Sequence, residues 1–444
     1  MNTLAQLRSG ALAGARRLDL SCGLTELPSE VFALADTLEV LNLSGNRLRS
    51  LPAGLSRLHR LKIIFCSDNR FTELPEVLGD CPALQVVGFK ACDIKRVPTA
   101  ALPRALRWLI LTDNAIERLP DALGERPLLQ KLMLTGNRLS ALPEGMAGAV
   151  RLELLRLSAN QFERLPGWLT ALPRLAWLAL SGNRFGGMQP VPAPLPRVSW
   201  NALQVGAALG EGASGRISRA QGVSSGETWA LKLFKGAVTS DGFPEHELAA
   251  SRVAGRHPAL CTPVAELSDH PQGTPGLLLP LIPHGHVPLA APPSMDSCTR
   301  DVYETGWHIG ATQALRSTQA IASAVAHLHR RGVMHGDLYA HNILWNPQSG
   351  DALLSDFGAA TLLPADRPEQ WRALLSLEVR ALGCLFEELV VHAQGDTCDA
   401  PVWAVLEGLA QACQRSDPAQ RPTVDEVVED LGRMVQDTGG ASRL

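Results

Sequence analysis

Apolar residues in the first half of the chain recur at a spacing much longer than the period of one helix or strand. The pattern L-x-L-x-x-N-x-L returns throughout this region, and its Asn position falls every 22 or 23 residues. The occupants of that position are Asn46, Asn69, Cys92, Asn114, Asn137, Asn160 and Asn183. Alternate side chains of an extended segment share one face, so the leucines of each copy form a short apolar strand face. Because one copy cannot bury that face alone, the pattern predicts a stack of short strands.

The period of these copies resembles that of the leucine-rich-repeat family, from residue 18 to about residue 187. The resemblance implies an α/β solenoid over residues 1–187, in which the Asn side chains bind backbone groups where the chain leaves each strand. Cys92 is a permitted substitute for Asn in that family. An earlier copy, with Leu18 and Pro28, is one residue short and is predicted to cap the stack.

The outward positions of the predicted strands would line the concave face of such a solenoid. Several of them are large apolar or basic side chains. We predict that they bind a protein partner or substrate, because exposed aromatic residues are frequent binding hot spots. The predicted partner-binding residues are Phe65, Trp108, Met133, Arg156 and Trp177. The alternative interpretation is that some of these side chains only cover the leucine stack.

Alternating prolines separate the repeats from a second region with different chemistry. Pro190, Pro192, Pro194 and Pro196 alternate with other residues, and this alternation favours an extended, semi-rigid spacer. We therefore predict a linker at residues 188–202.

A glycine-rich segment opens the second region. Residues 210–217 fit the pattern G-x-G-x-x-G-x-V, with Ile217 at the last position. A dinucleotide-binding turn has the same glycine spacing but must open a helix, whereas the flanking residues here alternate as strands do. Lys232 lies on the next predicted strand and is one of only two lysines after residue 200. This order is typical of kinases, and Glu247 is predicted to pair with Lys232, with Glu245 as the alternative.

Two acidic motifs follow further along the chain. Asp337 and Asn342 stand in the sequence H-G-D-L-Y-A-H-N, and Asp356 begins the sequence D-F-G, 14 residues after Asn342. The D-x-x-x-x-N spacing is that of a catalytic loop whose Asp accepts the proton of the attacking hydroxyl. Asn342 and Asp356 are predicted to hold magnesium, which neutralises the charge on the transferred phosphoryl group.

The order of these elements resembles the protein-kinase family over residues 203–434, with residues 435–444 as a C-terminal tail. The resemblance implies a bilobal α+β domain that uses ATP and Mg²⁺. It assigns catalytic roles to Asp337, Lys232 and Asn342. The predicted fold class is therefore multidomain, a leucine-rich-repeat solenoid followed by a protein-kinase-like domain.

The same resemblance assigns the nucleotide site. It implies that Leu279 is the gatekeeper and that Ile282 is the main hinge donor for adenine. The predicted ATP-binding residues are Gly210, Glu211, Gly212, Ala213, Ser214, Gly215, Ile217, Ala230, Lys232, Glu247, Leu279 and Ile282. Residues 379–389 and 417–423 resemble the central helix and the D-P-x-x-R-P-T element of the family.

Several positions depart from the family pattern. Gly336 replaces the Arg that usually precedes the catalytic Asp, so a phosphate on the activation loop has no obvious partner here. Tyr339 and His341 stand where Ser/Thr-specific and Tyr-specific kinases carry a basic residue. Glu378 replaces the Asp that usually begins the central helix, and the segment after D-F-G is short, with only residues 367–369 resembling A-P-E. We therefore expect activity that does not need activation-loop phosphorylation.

Three functions stay open at this point. The favoured function is protein kinase, with Ser/Thr preferred and with repeats that recruit a partner or substrate. The second is a pseudokinase scaffold, although the glycines, Lys232, Asp337, Asn342 and Asp356 are all present. The third is a small-molecule phosphotransferase of the aminoglycoside or choline kinase type, whose H-G-D-L sequence is similar.

The composition of the chain bears on nucleic-acid binding, cysteine chemistry and membrane insertion more than on the choice between these three functions. The chain has 444 residues and a net charge of −3, which argues against binding nucleic acid or anionic membranes through bulk charge. Nine cysteines form no C-x-x-C pair, so we expect reduced thiols in a cytoplasmic protein rather than a disulfide framework or a zinc site. The most apolar run, residues 276–282, is far shorter than the roughly 20 residues that span a bilayer, so no membrane segment is expected.

Overall fold

A computed structural model of the chain describes residues 2–185, 194–212, 214–235, 238–364, 368–395 and 399–441. The chain divides into two compact units. Met1–Leu175 and Asn183–Phe185 form the first unit, and Ala176–Gly182 and Gly186–Leu444 form the second. The first part of the predicted linker, residues 188–193, lies outside the described ranges. Within those ranges, no helix is long and apolar enough to cross a membrane.

Over its described residues, the first unit consists of a short helix and short strands joined by 3-10 helices of three to six residues. Helix α1 spans Leu4–Arg8 and begins with a capping box between Thr3 and Gln6. The strands are β1 (Arg17–Asp19), β2 (Val40–Asn42), β3 (Ile63–Phe65), β4 (Val86–Gly88), β5 (Trp108–Ile110), β6 (Lys131–Met133) and β7 (Leu154–Arg156). Each strand pairs in parallel with the next one along the chain. The 3-10 turns are Ser29–Leu34, Ala53–Arg57, Glu76–Asp80, Thr99–Ala101, Asp121–Leu123, Glu144–Gly148 and Gly167–Ala171.

Buried asparagines join successive repeats, as the sequence predicts. In Asn69, Nδ2 donates to the backbone oxygens of Leu43 at 2.9 Å and Cys66 at 3.0 Å. Its Oδ1 accepts from the backbone N–H of Leu48 at 2.9 Å. The same arrangement occurs at Asn46, Asn137 and Asn160. Cys92 takes over the donor function, since its thiol donates to the Cys66 oxygen at 3.2 Å. These side chains let the chain leave each strand without losing backbone hydrogen bonds.

The second unit has a sheet-rich half that follows one strand of the repeat pattern, β8 (Trp177–Ala179). Its strands are β9 (Arg197–Ser199), β10 (Leu203–Glu211), β11 (Gly215–Gly222), β12 (Thr228–Phe234), β13 (Ala265–Ser268) and β14 (Gly276–Pro280). They form one sheet in the order β10-β11-β12-β14-β13-β9, and only the β13–β9 pair is parallel. Helix α2 spans Pro244–Ala254. Leu231 and Leu278 are fully buried in the core of this half.

The other half of the second unit is mainly helical. Its helices are α3 (Ala311–Arg330), α4 (Pro368–Val391), α5 (Ala400–Cys413) and α6 (Val424–Ala441). Its short strands are β15 (Val287–Pro288), β16 (Ile309–Gly310), β17 (Val333–Met334), β18 (Ile343–Trp345), β19 (Ala352–Leu354), β20 (Thr361–Leu362) and β21 (Ala393–Gln394). These strands pair as β15-β18-β19, β16-β21 and β17-β20. The hairpin of β18 and β19 lies between the two acidic motifs and brings them together.

Candidate functional site

The glycine-rich segment forms the turn of the β10–β11 hairpin. Gly210 pairs with Ile217, and the N–H of Gly212 donates to the Gly215 oxygen at 2.9 Å. A Cβ at Gly215 would lie 2.7 Å from the Leu233 oxygen, whereas a Cβ at Gly210 or Gly212 would meet none of the described residues within 4 Å. Packing inside the protein therefore requires only Gly215. The other two glycines leave open space at the turn, and Ala213 lies outside the described residues.

Lys232 and Glu247 form a buried ion pair between β12 and α2. The Lys232 ammonium donates to Glu247 Oε1, and the two residues are only 7% and 5% exposed. Burial raises the pKa of the Glu247 carboxyl, while the Lys232 charge acts in the opposite direction. Glu245, the alternative partner, is exposed. Two buried charges cost free energy unless they are paired, so this pair fixes the position of the ammonium.

Asp337 and Asn342 are joined directly. Asn342 Nδ2 donates to both the backbone oxygen and Oδ2 of Asp337, each at 2.9 Å. The His335 ring lies 3.1 Å from the Ser355 oxygen, and Ser355 precedes Asp356. Asp356 itself is exposed and has a φ of 62°, a conformation that is uncommon outside glycine. The hydrogen bonds thus hold the D-x-x-x-x-N loop against the strand that leads to Asp356.

Glu378 on α4 supports the backbone of the loop that carries Asp337. This buried carboxylate accepts from the backbone N–H of Gly336 at 2.6 Å and of His335 at 3.1 Å. His329 donates to the same carboxylate at 2.8 Å. Burial acts to raise the pKa of Glu378, but the hydrogen bonds and the nearby histidines outweigh it and lower that pKa. The sequence presents Glu378 as a departure from the family pattern, yet its side chain satisfies two loop N–H groups.

His341 is held by a residue that the sequence gives no reason to select. Asp301 accepts from the His341 backbone N–H at 3.0 Å and contacts His341 Nδ1 at 2.7 Å. Burial acts to lower the pKa of His341, but the Asp301 carboxylate and the charges of Asp337 and Asp356 raise it. Asp301 lies far from the motifs, so only its place in the fold shows its connection to the loop.

These elements surround a cavity of about 480 Å³. Nine of the residues predicted to bind ATP or metal line it: Gly210, Ile217, Ala230, Lys232, Glu247, Leu279, Ile282, Asn342 and Asp356. Four others lie outside that lining: Glu211, Gly212, Ser214 and Gly215. Asp337 is not part of the lining, but it accepts a hydrogen bond from Asn342, which is. Of the first group, Lys232, Glu247, Asn342 and Asp356 supply the polar side chains, and the other five residues are apolar or glycine.

The lining also includes residues for which the sequence predicts no binding role. They are Leu209, Ser251, Cys261, Leu277, Pro280, Leu281, Leu344, Ser355 and Phe357. Leu344 lies two residues after Asn342, and its strand position is the signal that could have identified it. Burial raises the pKa of the Cys261 thiol to about 11, so this residue is a neutral part of the wall.

The predicted partner-binding residues of the repeats differ in exposure. Phe65, Trp108 and Met133 are partly exposed, and the Lys131 ammonium lies over the Trp108 ring at 4.1 Å. Arg156 and Trp177 are only 3% and 2% exposed. The prediction that Arg156 and Trp177 bind a partner is therefore corrected, because buried side chains cannot meet a partner directly.

Comparison with known families identifies both regions. The model described as "Protein kinase domain" matches residues 203–405. Models described as "Leucine rich repeat" match residues 37–58, 104–162 and 127–185.

Similar proteins are kinases in name. CBL-interacting protein kinase 22 of Oryza sativa subsp. japonica is 28% identical over 45% of this chain and 46% of its own length. Cyclin-dependent kinase B2-1 of Arabidopsis thaliana is 26% identical over 43% of this chain and 66% of its length. The probable inactive serine/threonine-protein kinase roco10 of Dictyostelium discoideum is 29% identical over 26% of this chain and 5% of its length. The chain therefore covers less than two thirds of the length of each of these relatives. It combines N-terminal leucine-rich repeats with a C-terminal protein kinase domain.

Proposed function

We propose that the chain transfers the γ-phosphate of ATP to protein hydroxyl groups, with serine and threonine preferred. The observation that carries the proposal is that the Lys232–Glu247 ion pair, Asn342 and Asp356 line one cavity, and that Asn342 is hydrogen-bonded to Asp337. A lysine, a potential base and two oxygen ligands are the groups that phosphoryl transfer requires. Their joint placement is difficult to explain as a surface cluster of unrelated charges.

The cavity suits Mg²⁺-bound ATP. Ile217, Ala230 and Leu344 give it apolar walls, as an adenine ring requires, and Lys232 provides a cation for phosphate oxygens. Asn342 and Asp356 offer amide and carboxylate oxygens, the ligands that Mg²⁺ prefers. Because Asn342 donates both hydrogen bonds to Asp337 through Nδ2, its Oδ1 is the atom assigned to the cation.

Each residue of the site has a separate role in the proposed reaction. Bound Mg²⁺-ATP supplies the phosphoryl group and neutralises part of its charge. Lys232, held by Glu247, fixes the phosphate oxygens. The Asp337 carboxylate accepts the proton of the substrate hydroxyl, and Asn342 keeps that carboxylate in place. Glu378 holds the loop backbone, so Asp337 does not have to reorganise during transfer.

The finer features of the function belong to the same proposal. The preference for serine and threonine is supported by relatives such as the serine/threonine-protein kinase PrkC of Bacillus subtilis, 27% identical over 30% of this chain. Binding of a protein partner by the repeats is supported by the partly exposed Phe65, Trp108 and Met133. A cytoplasmic location, predicted from the scattered cysteines, is part of the proposal as well.

The test is phosphate transfer from γ-labelled ATP to the protein itself and to generic protein substrates, over a range of Mg²⁺ concentrations. Asp356→Asn removes the negative charge of a proposed metal ligand, and Asp425→Asn is the matched control at an exposed surface ion pair with Arg330. We expect Asp356→Asn to lower transfer by about 100-fold and the control to retain it. Phosphoamino-acid analysis then reports the preferred hydroxyl.

Two other outcomes would replace the proposal. ATP binding without transfer by the wild-type chain would favour a scaffold. Transfer to a metabolite but to no protein would favour a small-molecule phosphotransferase.

A further inference from the structure

The segment Ala176–Gly182 belongs to the second compact unit, although in sequence it is the strand of the last repeat copy. Trp177 in this segment is buried, and its Nε1 donates to the Leu338 backbone oxygen at 2.8 Å. Its ring stacks on Tyr339, with ring centroids 4.3 Å apart and an angle of 7° between the ring planes. Leu338 and Tyr339 directly follow Asp337, so the indole holds the two residues next to the proposed base.

The backbone of the same segment packs on the other side of Asp337. A Cβ at Gly336 would lie 2.6 Å from the Leu178 oxygen and 2.8 Å from the Ala359 oxygen. No side chain fits at that distance, and the φ of Gly336 is 74°, which L residues rarely adopt. The absence of Arg before Asp337 therefore has a structural reason. The loop backbone lies directly against the segment.

Two further contacts connect the segment to other parts of the site. The Leu180 N–H donates to Thr361 Oγ1 at 3.0 Å, and Thr361 pairs with Met334 just before the catalytic loop. A Cβ at Gly182 would lie 2.5 Å from the His246 ring, and His246 precedes Glu247 on α2. One extended segment thus reaches the catalytic loop, the strand after Asp356 and the helix that carries Glu247.

A buried tryptophan often serves packing alone, but the position of Tyr339 argues for a specific role. Tyr339 occupies the place where Ser/Thr kinases carry a basic residue, and it is only 4% exposed. Its ring stacks on Trp177 and also lies near the ring of His341, with ring centroids 5.0 Å apart. The loop from Asp337 to Asn342 is therefore fixed by the Asp337–Asn342 hydrogen bonds inside the loop and by the indole outside it.

We propose that Trp177 is a positioning residue of the proposed transfer reaction. Through Leu338 and Tyr339 it keeps the catalytic loop in the conformation that directs Asp337 toward the substrate hydroxyl. A displacement of about 1 Å in such a group can cost on the order of 100-fold in rate. The proposal rests on the proposed function for its kinetic consequence, but the contact between Trp177 and the loop can be tested without transfer.

The kinetic test compares Trp177→Phe and Trp177→Ala with the wild-type chain. Phe keeps the stacking on Tyr339 and loses the N–H donor, so we expect kcat to fall about 10-fold, and Ala should lower it about 100-fold. The KM for ATP should change by less than about threefold, because Trp177 does not line the cavity. Trp168→Ala, a half-buried tryptophan of the first unit, is the control and should retain wild-type kcat.

The second readout is amide hydrogen exchange of residues 335–342 in the absence of nucleotide. We expect faster exchange in Trp177→Ala and unchanged exchange in Trp168→Ala. Faster exchange in a chain that shows no transfer at all would support the contact while rejecting the proposed function. Unchanged exchange and unchanged kcat in Trp177→Ala would overturn the proposal. A rise in kcat would also overturn it, because the segment would then restrain the site rather than align it.

Discussion

The two units of the chain use buried polar side chains in different ways. In the repeats these side chains are mostly neutral, and the asparagines among them bond to backbone atoms, as when Asn137 Nδ2 reaches the Leu111 oxygen 26 residues earlier. In the second unit several of them are charged. Lys232 pairs with Glu247, and Glu378 holds loop N–H groups 42 and 43 residues earlier. The repeats distribute their stability over many similar bonds, whereas the second unit buries charged side chains, and the Lys232–Glu247 pair among them lines the cavity.

This difference separates side chains that serve the fold from side chains that serve chemistry. A neutral amide that is hydrogen-bonded to the backbone stabilises the bend in which it lies, and it carries no charge with which to bind a substrate. A buried charge costs free energy unless it is paired, so its presence beside a cavity points to a functional requirement. Substitutions in the repeats should therefore reduce stability and spare transfer. Substitutions around the cavity should reduce transfer beyond any effect on stability.

The largest effect is expected for Lys232→Met. Loss of the ammonium removes the charge that would hold phosphate oxygens, so transfer should fall about 100- to 1,000-fold. It also leaves the Glu247 carboxyl buried without its partner, so the free energy of unfolding of the second unit should fall by about 3 kcal/mol. Labelled-ATP transfer and urea denaturation measure the two effects.

The double variant Lys232→Met/Glu247→Gln separates those two effects. Removing the uncompensated carboxylate should restore much of the stability and none of the transfer. Lys95→Met, at an exposed position of the repeats, should leave both unchanged. Recovery of transfer together with stability would mean that Lys232 serves the fold alone.

The next effect is expected for Glu378→Gln. A neutral amide accepts more weakly from His335 and Gly336 and presents an N–H group to their donors, so the free energy of unfolding should fall by about 2 kcal/mol at pH 7. Because the pKa of Glu378 is lowered in the folded state, its stabilisation is present above the unfolded pKa of 4.5 and is lost as the pH falls through the folded pKa. The deficit of the variant should therefore shrink below pH 4.5.

Thermal unfolding from pH 7 to about pH 3.5 measures this deficit. Glu429→Gln, at an exposed position of α6, serves as the matched control and should match the wild type throughout. A deficit that stays constant across this range would show that ionisation of Glu378 does not contribute.

In the repeats, Asn137→Ala should lower the free energy of unfolding of the first unit by about 2 kcal/mol. The substitution removes two donated hydrogen bonds and one accepted one, each between 2.9 and 3.0 Å. The transfer rate should not change. The reverse test is Cys92→Asn, which supplies the acceptor that a thiol provides poorly and should raise stability by about 1 kcal/mol. Denaturant unfolding, monitored by a signal from the repeats, measures both changes in stability. A loss of transfer in Asn137→Ala would contradict the expected separation between stability in the first unit and transfer in the second.

The smallest effect is expected at Glu388, a partly buried carboxyl whose side chain is 16% exposed and which contacts Arg300 and Tyr303. Burial raises its pKa to about 7, whereas Arg300 acts to lower it and Asp301 to raise it. A raised pKa means that the stabilisation is complete below the unfolded value of 4.5 and is lost as the pH rises through about 7. Glu388→Gln cannot ionise, so from pH 5 to pH 8 it should gain about 1–2 kcal/mol relative to the wild type.

The control for this pH dependence is Glu387→Gln, which also removes a partner of Arg300 but lies at an exposed position. It should show no relative gain between pH 5 and pH 8. Equal behaviour of the two variants would mean that burial does not control the ionisation of Glu388.

Sequence patterns predicted the elements whose chemistry is local. The leucine and asparagine spacing predicted the repeats because every copy makes the same short-range bonds. Lys232 and Asn342 were likewise recognisable, because each stands in a motif of fixed spacing. The sequence left two possible partners for Lys232, Glu245 and Glu247. The choice between them depends on which face of α2 is buried.

Other features depend on contacts between distant parts of the chain and could not be predicted. Trp177 carries the pattern of an outward repeat residue, yet its indole is bound to Leu338. Asp301 has no motif and meets His341 only through the fold. Glu378 appeared as a departure because sequence spacing cannot show that its carboxylate reaches two loop N–H groups.

We propose that Asp337 serves the transfer step, at a site that binds Mg²⁺-ATP independently of it. The most direct measurement compares wild type and Asp337→Asn in one preparation, by calorimetric Mg²⁺-ATP binding and by labelled phosphate transfer. We predict a Kd within about threefold of the wild-type value and transfer slower by about 1,000-fold. Transfer by Asp337→Asn at the wild-type rate would show that Asp337 does not serve the transfer step.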